Sequence, residues 1–256
     1  MKMTLLCLLL GAASFMRGAE PPVSAAEARA ARDGADFRTP ARDYVAATSQ
    51  WHVLVEKVFM ERRPERAASA LKKLETALGS VFLSLPEIPR QKLEAVDFYL
   101  LWGKASPHGG RASGMSYIRK GEPERYPHLD PQWGHSIIIF SAENLLFLDD
   151  LWTRKALMHE LAHAWHLSNW PEKHPPILDA WSSSEKKQLY REVRDYKSAI
   201  IPAAYAGKNQ LEYFAELSAI YFVGGNYEPF HRSGLREYDP AGFAMVETLW
   251  GAGSAK

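Results

Sequence analysis

The stretch that decides the fold of this chain is MHELAH, residues 158–163, in which two histidines stand four positions apart. Each residue of an α-helix advances by about 100°, so His159 and His163 lie about 40° apart on one face of a helix. Both imidazoles can therefore reach one metal ion. Glu160, on the neighbouring edge of that face, can reach a water molecule bound to the ion. The spacing predicts a zinc site on this helix.

The residues around this stretch favour a helix with a buried face. Apolar side chains recur at helical spacing on the side opposite the histidines, namely Leu157, Leu161, Ala164 and Trp165. Asp149 and Asp150 can cap the N-terminus of this helix. The helix is predicted over residues 151–167 and is expected to end before Pro171. The competing interpretation is a surface helix with two solvated histidines.

The N-terminal segment has the pattern of a signal peptide. An apolar run over residues 4–13 follows Lys2 and precedes several small residues. We expect a signal peptide over residues 1–19, with cleavage after Ala13 or Ala19, and a flexible leader over residues 20–38. This predicts a secreted or periplasmic protein. The single cysteine, Cys7, lies in the signal peptide, so no disulfide is expected after its removal.

Charge and composition narrow the classes of partner. A formal net charge of +1 provides no electrostatic attraction to nucleic acid or to acidic membranes. No second apolar run approaches the about 18 residues of a membrane span, so no membrane contact is expected once the signal peptide is removed. With 46% hydrophobic residues the chain has enough apolar surface for a buried core. The sequence does not indicate an oligomeric state.

Residue patterns elsewhere predict a mixture of helices and strands. Segments rich in β-branched and aromatic residues are predicted as strands: residues 95–102, 114–118 and 135–140. Segments with helical apolar spacing or helix-start signals are predicted as helices: residues 40–59, 64–78, a short helix from Ser182, one helix ending at Gly224, and 240–251. Proline and glycine predict a break at 86–89, a loop at 119–134 and a connection over 171–202.

A catalytic zinc site needs a third protein ligand, and the sequence offers several candidates. His166 and Asn169 stand where the pattern H-E-x-x-H-x-x-G-x-x-H has glycine and histidine, so that pattern is absent. His174 stands among prolines and is expected in a loop. Glu185 follows His163 at a spacing near that of the thermolysin type. The serines before Glu185 favour a helix-capping role for it instead.

Two further glutamates are better placed, because a helix brings Glu212 and Glu216 to one face, one turn apart. Glu212 could bind the metal, while Glu216 could accept a hydrogen bond from a ligand histidine and so fix its tautomer. Asn209, at the predicted helix start, would then support the site from outside the ligand set. The alternatives are a capping box of Asn209 with Glu212, and a solvated position for Glu216.

Residues 159–216 resemble the catalytic domain of the anthrax lethal factor type. That group consists of secreted zinc metallopeptidases of the Glu-zincin class and includes the Pro-Pro endopeptidases. The resemblance rests on HELAH at 159–163, Tyr205, and EYFAE at 212–216. It implies a set of roles: zinc ligands His159, His163 and Glu212, base Glu160, catalytic phenol Tyr205, and Glu216 behind a ligand histidine. The connection from His163 to Glu212 is longer here, which affects the expected shape of the substrate cleft.

The resemblance and the residue patterns together define the expected architecture. We expect an α+β, zincin-like metallopeptidase fold, in which a small mixed sheet packs on the HELAH helix and the rest is mostly helical. A single catalytic domain is expected over residues 39–252. Its parts are a helical scaffold over 39–85 and a metal-binding core over 90–252.

The expected activity is hydrolysis of peptide bonds in a peptide or protein substrate. Zinc lowers the pKa of a bound water from near 16 to about 7, Glu160 takes the proton of that water, and Tyr205 stabilises the oxyanion. The alternatives are a secreted binding module that keeps the zinc fold without turnover, and an amide hydrolase acting on a cell-wall-type peptide. Glu160 argues against the binding module, because a structural zinc site would not need it.

The strand at residues 136–140 has two interpretations. It is either an edge strand that pairs with an extended substrate or a central strand of the core. Four further residues near predicted loops and helix ends are expected in the core or on the surface rather than in the site: Trp133, His135, His166 and His231.

Overall fold

The computed structural model describes residues 42–47 and 49–254. The predicted signal peptide and leader lie outside these residues. The described chain has an α+β fold with nine α-helices and two sheets. The strands are β1 (Tyr44–Ala46), β2 (Val53–Glu56), β3 (Asp97–Leu100), β4 (Met115–Ile118), β5 (Ser136–Ile139), β6 (Glu192–Arg194) and β7 (Ile200–Pro202). The helices are α1 (Lys57–Arg62), α2 (Pro64–Ser84), α3 (Glu87–Leu93), α4 (Ala142–Phe147), α5 (Asp150–Asn169), α6 (Pro175–Lys186), α7 (Gln210–Phe222), α8 (Arg232–Tyr238) and α9 (Pro240–Trp250).

The main sheet is mixed and has the strand order β1-β2-β3-β5-β4. β2, β3 and β5 are parallel to one another, whereas β1 and β4 run antiparallel at the two edges. All four residues of β5 are buried, as expected for an apolar run covered on both faces. The edge-strand interpretation of residues 136–140 is therefore wrong. β4 occupies the edge instead, because it pairs with the side of β5 that β3 leaves free.

Both faces of this sheet are covered. Alternate residues of β3 and β5, such as Phe98 and Ile137, join the large core that includes α2, α5, α7 and α9. Tyr99 and Ile138, which point the other way, pack with Leu129 and Trp133 from the predicted loop. That loop contains only a 3₁₀ turn at Pro131–Trp133. The sheet therefore holds the HELAH helix α5 against its main core face.

The predicted helix over residues 40–59 is wrong, because strands β1 and β2 and the short helix α1 occupy this segment. Val53, Leu54 and Val55 align with residues 98–100 in a parallel ladder. A β-branched segment that gains such a partner favours the strand, whatever its helical apolar spacing. The scaffold of residues 39–85 is thus only partly helical. The predicted helix start at Pro64 is confirmed, and α2 continues to Ser84.

Prolines explain two further differences. Residues 86–89 are not a simple break, because α3 includes Pro89 in its first turn, where a helix needs no N–H donor. α6 similarly begins with prolines at its first positions, and it contains Ser182 in its interior. The predicted capping box from Ser182 to Glu185 is therefore wrong.

The C-terminal elements agree more closely with the predictions. α7 ends before Gly224, and α9 begins at Pro240 after its N-cap Asp239. Gly251 ends α9 with a left-handed φ of 65°, which favours glycine. The sequence patterns missed α4, α8 and the β6–β7 hairpin, which are all short. Among the described helices, none combines the length and apolar character of a membrane span.

Candidate metal centre

The metal centre is built on two helices that pack side by side, α5 and α7. Asp149 caps α5 by accepting a hydrogen bond from Trp152 N at 2.8 Å, so the predicted helix start is confirmed. Asn209 caps α7 by accepting hydrogen bonds from Leu211 N and Glu212 N, both at 2.9 Å. The predicted capping role of Asn209 is thereby confirmed. The Glu212 side chain does not return the bond, and it is directed to the histidines of α5.

Three buried side chains bring together, between these helices, atoms that could bind a metal ion. His159 Nε2 lies 3.0 Å from Glu212 Oε2 and 3.1 Å from His163 Nε2. His163 Nε2 lies 3.5 Å from the same Glu212 oxygen. His159 and Glu212 are 0% exposed, and His163 is 6% exposed. The interpretation of two solvated histidines is therefore wrong, and this group of three could hold a metal ion.

The other candidate ligands lie elsewhere. Glu185 is exposed near the end of α6, and His174 precedes that helix at its N-cap position, without a side-chain capping bond, and stacks on Trp170. Neither belongs to the metal-binding group found among the described residues. Glu212, which the residue pattern already placed better than Glu185, is the glutamate that lies beside the two histidines.

Glu216 lies directly behind His159. Its Oε1 is 2.8 Å from His159 Nδ1, so it can accept a hydrogen bond from that nitrogen and leave Nε2 free to face the metal group. The solvated position considered for Glu216 is wrong, because the residue is 1% exposed. Its Oε2 accepts hydrogen bonds from Lys155 Nζ at 2.8 Å and from Tyr227 OH at 2.5 Å.

The sequence analysis missed Lys155 and Tyr227. A signal existed for Lys155, since a lysine one turn before His159 falls on the same helix face and needs a buried counter-charge there. No comparable signal existed for Tyr227, which follows α7 in a loop.

The charges of Glu212 and Glu216 stabilise a positive charge at His159, which lies between them. Burial lowers the pKa of His159, but Glu212 and Glu216 outweigh it and raise this pKa to about 10. Burial raises the pKa of Glu212, but hydrogen bonds to His159 and His163 outweigh it and lower this pKa to about 2. Burial likewise opposes ionisation of Glu216, and Lys155 and His159 outweigh it, so its pKa is also lowered. Both carboxylates are therefore ionised at neutral pH and attract a cation.

Glu160 lies between the metal group and the edge strand β4. Its Oε2 accepts a hydrogen bond from Tyr117 N at 2.7 Å. Its Oε1 is buried and has no hydrogen-bond partner among residues 42–47 and 49–254. Burial raises the pKa of Glu160, and the nearby histidines only partly offset this rise. A carboxylate with one fixed and one free oxygen and a raised pKa is suited to proton transfer.

Tyr205 lies in a 3₁₀ turn, Tyr205–Gly207, just before α7. Its ring centroid is 5.8 Å from that of His159. Burial and the charges of Glu212 and Glu160 raise the pKa of the Tyr205 hydroxyl. The hydroxyl therefore stays protonated at neutral pH and can act as a hydrogen-bond donor beside the metal group.

Comparisons with protein-family models, with curated proteins and with solved structures found no match for this chain. The chemistry open to this site is therefore set by its own side chains. They provide three potential metal ligands, one carboxylate with a free oxygen and one phenolic donor within a single buried region.

The remaining aromatic and histidine residues considered from the sequence do not join the metal group. Trp133 is buried and donates to Tyr44 OH at 2.9 Å, and His135 Nδ1 lies 2.8 Å from Tyr117 OH. His231 caps α8 by accepting a hydrogen bond from Gly234 N. His166 is fully buried and donates from Nε2 to Pro171 O at 3.1 Å. The expected core or surface positions are confirmed for these four residues.

His166 should make the protein less stable in acid. Its Nδ1 has no partner within the described chain, and burial lowers the pKa of His166 to about 4. Between about pH 6.5 and pH 4 the unfolded chain binds a proton that the folded protein does not, so the free energy of unfolding falls as the pH falls. This histidine alone should remove about 3 kcal/mol between pH 7 and pH 4.

Urea unfolding of the native protein and of His166→Gln at several pH values measures this contribution. Glutamine keeps an N–H donor for Pro171 O but cannot gain a proton. The difference in stability between the two proteins should therefore change by about 3 kcal/mol over this range, in favour of the variant in acid. Parallel pH curves for the two proteins would contradict the assignment.

Proposed function

We propose that this chain is a secreted zinc-dependent metalloendopeptidase with a zincin-like fold. The observation that carries the proposal is the convergence of His159, His163 and Glu212 beside Glu160, which keeps a buried carboxylate oxygen free of protein partners. Two histidines and one glutamate are the ligand set of a well-known class of catalytic zinc sites. A structural site would use a fourth protein ligand and would not need the neighbouring base.

The spacing of the donor atoms supports zinc as the metal. Tetrahedral zinc with bonds of about 2.0–2.1 Å separates its ligand atoms by about 3.3 Å. The three donor pairs are 3.0, 3.1 and 3.5 Å apart. Two imidazole nitrogens disfavour calcium and magnesium, which prefer oxygen ligands. The second oxygen of Glu212 is buried with no partner in the described residues, which also suits a carboxylate that binds a metal.

Glu160 and Tyr205 have different roles in the proposed hydrolysis. When bound, zinc supplies a Lewis acid that makes a water molecule nucleophilic near neutral pH. Glu160 Oε1 accepts the proton of the attacking water and passes it to the leaving amine, while Tyr117 N–H holds Oε2 in place. The Tyr205 hydroxyl donates a hydrogen bond to the oxyanion that develops on the substrate carbonyl.

The edge strand β4 is the proposed place for the substrate backbone. Its inner side pairs with β5, and no further strand pairs with it in the described chain. The hydrogen bond from Tyr117 N to Glu160 brings this strand next to the proposed base. An extended peptide that added to β4 would therefore bring a backbone carbonyl to the metal group. This mode of binding favours cleavage within a peptide chain.

Zinc analysis followed by a peptide-library cleavage screen tests the proposal. The native protein should contain one zinc and cleave library peptides, and Glu160→Gln should contain zinc and fail to cleave them. Zinc without cleavage of any peptide would support the binding module. Cleavage confined to cell-wall-type peptides would support the amide hydrolase. A protein that binds no zinc would contradict all three.

Tyr205→Phe should keep its zinc and lose most of its catalytic rate. The change removes only the hydroxyl that donates to the oxyanion, and loss of one such donor costs about 3 kcal/mol, or 100-fold or more in kcat. The measurement is kcat and zinc content on a peptide from the screen. Tyr196→Phe is the control, because Tyr196 is exposed on the β6–β7 hairpin. Unchanged turnover in Tyr205→Phe would remove this tyrosine from the mechanism.

A further inference from the structure

A buried tyrosine outside the predicted site, Tyr227, contacts two parts of the site: the carboxylate behind His159 and the turn that holds Tyr205. The hydroxyl of Tyr227 donates to Glu216 Oε2 at 2.5 Å and accepts a hydrogen bond from Ala206 N at 3.3 Å. Glu216 is the carboxylate behind His159, and Ala206 is the residue next to Tyr205. Tyr227 is 3% exposed, so water cannot readily replace either bond. One hydroxyl therefore connects Glu216, which lies behind the ligand His159, with the 3₁₀ turn Tyr205–Gly207 (the tyrosine turn).

A buried lysine completes the surroundings of Glu216. Lys155 Nζ donates to Glu216 Oε2 at 2.8 Å and to Asn226 Oδ1 at 2.7 Å. The same ammonium group lies 4.9 Å from the centre of the Tyr227 ring. Lys155 is on α5 with His159, whereas Asn226 and Tyr227 are in the loop after α7. Glu216 is thus held from two directions by groups that are themselves fixed.

We propose that Tyr227, with Lys155, is a positioning residue for the metal centre and for the tyrosine turn. A carboxylate whose second oxygen has two fixed donors cannot rotate, so its first oxygen stays in line with His159 Nδ1. That hydrogen bond orients the imidazole, and oriented ligands bind metal more tightly. The hydroxyl accepts from Ala206 N at the same time, so it fixes where the Tyr205 side chain begins. The part of this proposal that concerns catalysis rests on the proposed function.

A purely structural tyrosine is the competing explanation, and the chain contains a matched example. Tyr213 OH donates to Asp239 Oδ2 at 2.6 Å, and the residue is fully buried. Tyr227→Phe and Tyr213→Phe each remove one buried hydroxyl that donates to a carboxylate. Asp239 caps α9 and does not contact the metal group. The two variants should therefore lose similar stability, and only Tyr227→Phe should alter metal binding.

Metal binding is the first measurement, made without reference to activity. Each protein is freed of metal with a chelator and titrated with Co²⁺, whose visible absorption reports the ligand geometry, and then with Zn²⁺ in competition. Tyr227→Phe should raise the metal Kd by about 10–100-fold and change the Co²⁺ spectrum. Tyr213→Phe should leave both unchanged. Equal Kd values in Tyr227→Phe and the native protein, or equal losses in both variants, would overturn the proposal.

The catalytic half is measured at saturating Zn²⁺ on a peptide from the screen. Tyr227→Phe should lower kcat and leave KM unchanged, because the tyrosine turn is displaced while the substrate edge is intact. An unchanged kcat would overturn the link to the tyrosine turn. If the native protein cleaves no peptide, the Co²⁺ titration still decides the metal half, so failure of the proposed function and failure of this proposal are separate results.

A second variant, Asn226→Ala, tests the same proposal in case Tyr227→Phe does not fold. Asn226→Ala removes the other anchor of Lys155 and leaves Tyr227 and Glu216 intact. It should weaken Co²⁺ binding in the same direction, with a smaller shift than Tyr227→Phe. Co²⁺ binding equal to that of the native protein in a folded Asn226→Ala would contradict the role given to Lys155.

Discussion

Glu160→Gln is expected to retain zinc and to lose peptide hydrolysis almost completely. The amide has the shape of the carboxylate, and its oxygen can still accept the hydrogen bond from Tyr117 N, which is 2.7 Å from Oε2 in the native protein. The amide cannot take a proton from water, however. General acid–base catalysis contributes about 10²–10⁴-fold to the rate. We therefore expect kcat/KM to fall by about 10²–10⁴-fold or more. This corresponds to about 3–5 kcal/mol of transition-state stabilisation.

The measurement combines kcat/KM on a peptide from the screen with zinc content of the same sample. Glu143→Gln is the control, because Glu143 is a partly buried glutamate whose Oε1 also accepts a hydrogen bond, from Trp102 Nε1 at 3.4 Å. It lies on α4, away from the metal group, and should keep full activity. Native turnover in a zinc-loaded Glu160→Gln would mean that another group removes the proton.

The residues of the site that could be predicted are those that lie close together in the sequence, on one helix. His159, Glu160 and His163 lie within two turns of α5, so helical periodicity alone places them together. Glu212 could not be placed in this way, because its position depends on how α7 packs against α5. The residue pattern therefore left Glu212 open between a metal ligand and a capping-box residue, and the resemblance to a metallopeptidase family was needed to favour the ligand role.

The groups that support the site could be predicted least. Lys155 and Glu216 are 61 positions apart, and nothing in the local sequence pairs them. Tyr227 lies in a loop, where no periodicity assigns a side chain to a direction. Such contacts become visible only when the helices and their connections are in place.

The fold shows the same division between local and long-range information. α5 has a long helical pattern, and the four residues of β5 belong to an apolar run rich in isoleucine, so both were predicted within a few residues of their ends. β1 and β2 are only three and four residues long, too short to establish an alternation, and β2 forms because β3 lies beside it. The two prolines at the start of α6 suggested a connection, although the first positions of a helix tolerate them.

Glu212→Ala is expected to lose zinc and, with it, all activity. The change removes one of three protein ligands and leaves two imidazoles, whose nitrogens are 3.1 Å apart, to hold the ion alone. Loss of an outer hydrogen-bond partner already weakens zinc binding by about 10–100-fold. Loss of a ligand should cost more, so we expect the zinc Kd to rise by at least about 100-fold. The negative charge that attracts the cation to this position is lost as well.

Glu185→Ala is the matched comparison, because Glu185 was the other candidate ligand and is exposed on α6. Zinc content and thermal unfolding with and without added Zn²⁺ measure both variants. A ligand that binds only the folded state raises its stability, by about 2.7 kcal/mol at 100 times Kd. Added Zn²⁺ should therefore raise the Tm of the native protein and of Glu185→Ala but not of Glu212→Ala. Full zinc occupancy in Glu212→Ala would mean that the third ligand is another residue, and loss of zinc in Glu185→Ala would identify that residue.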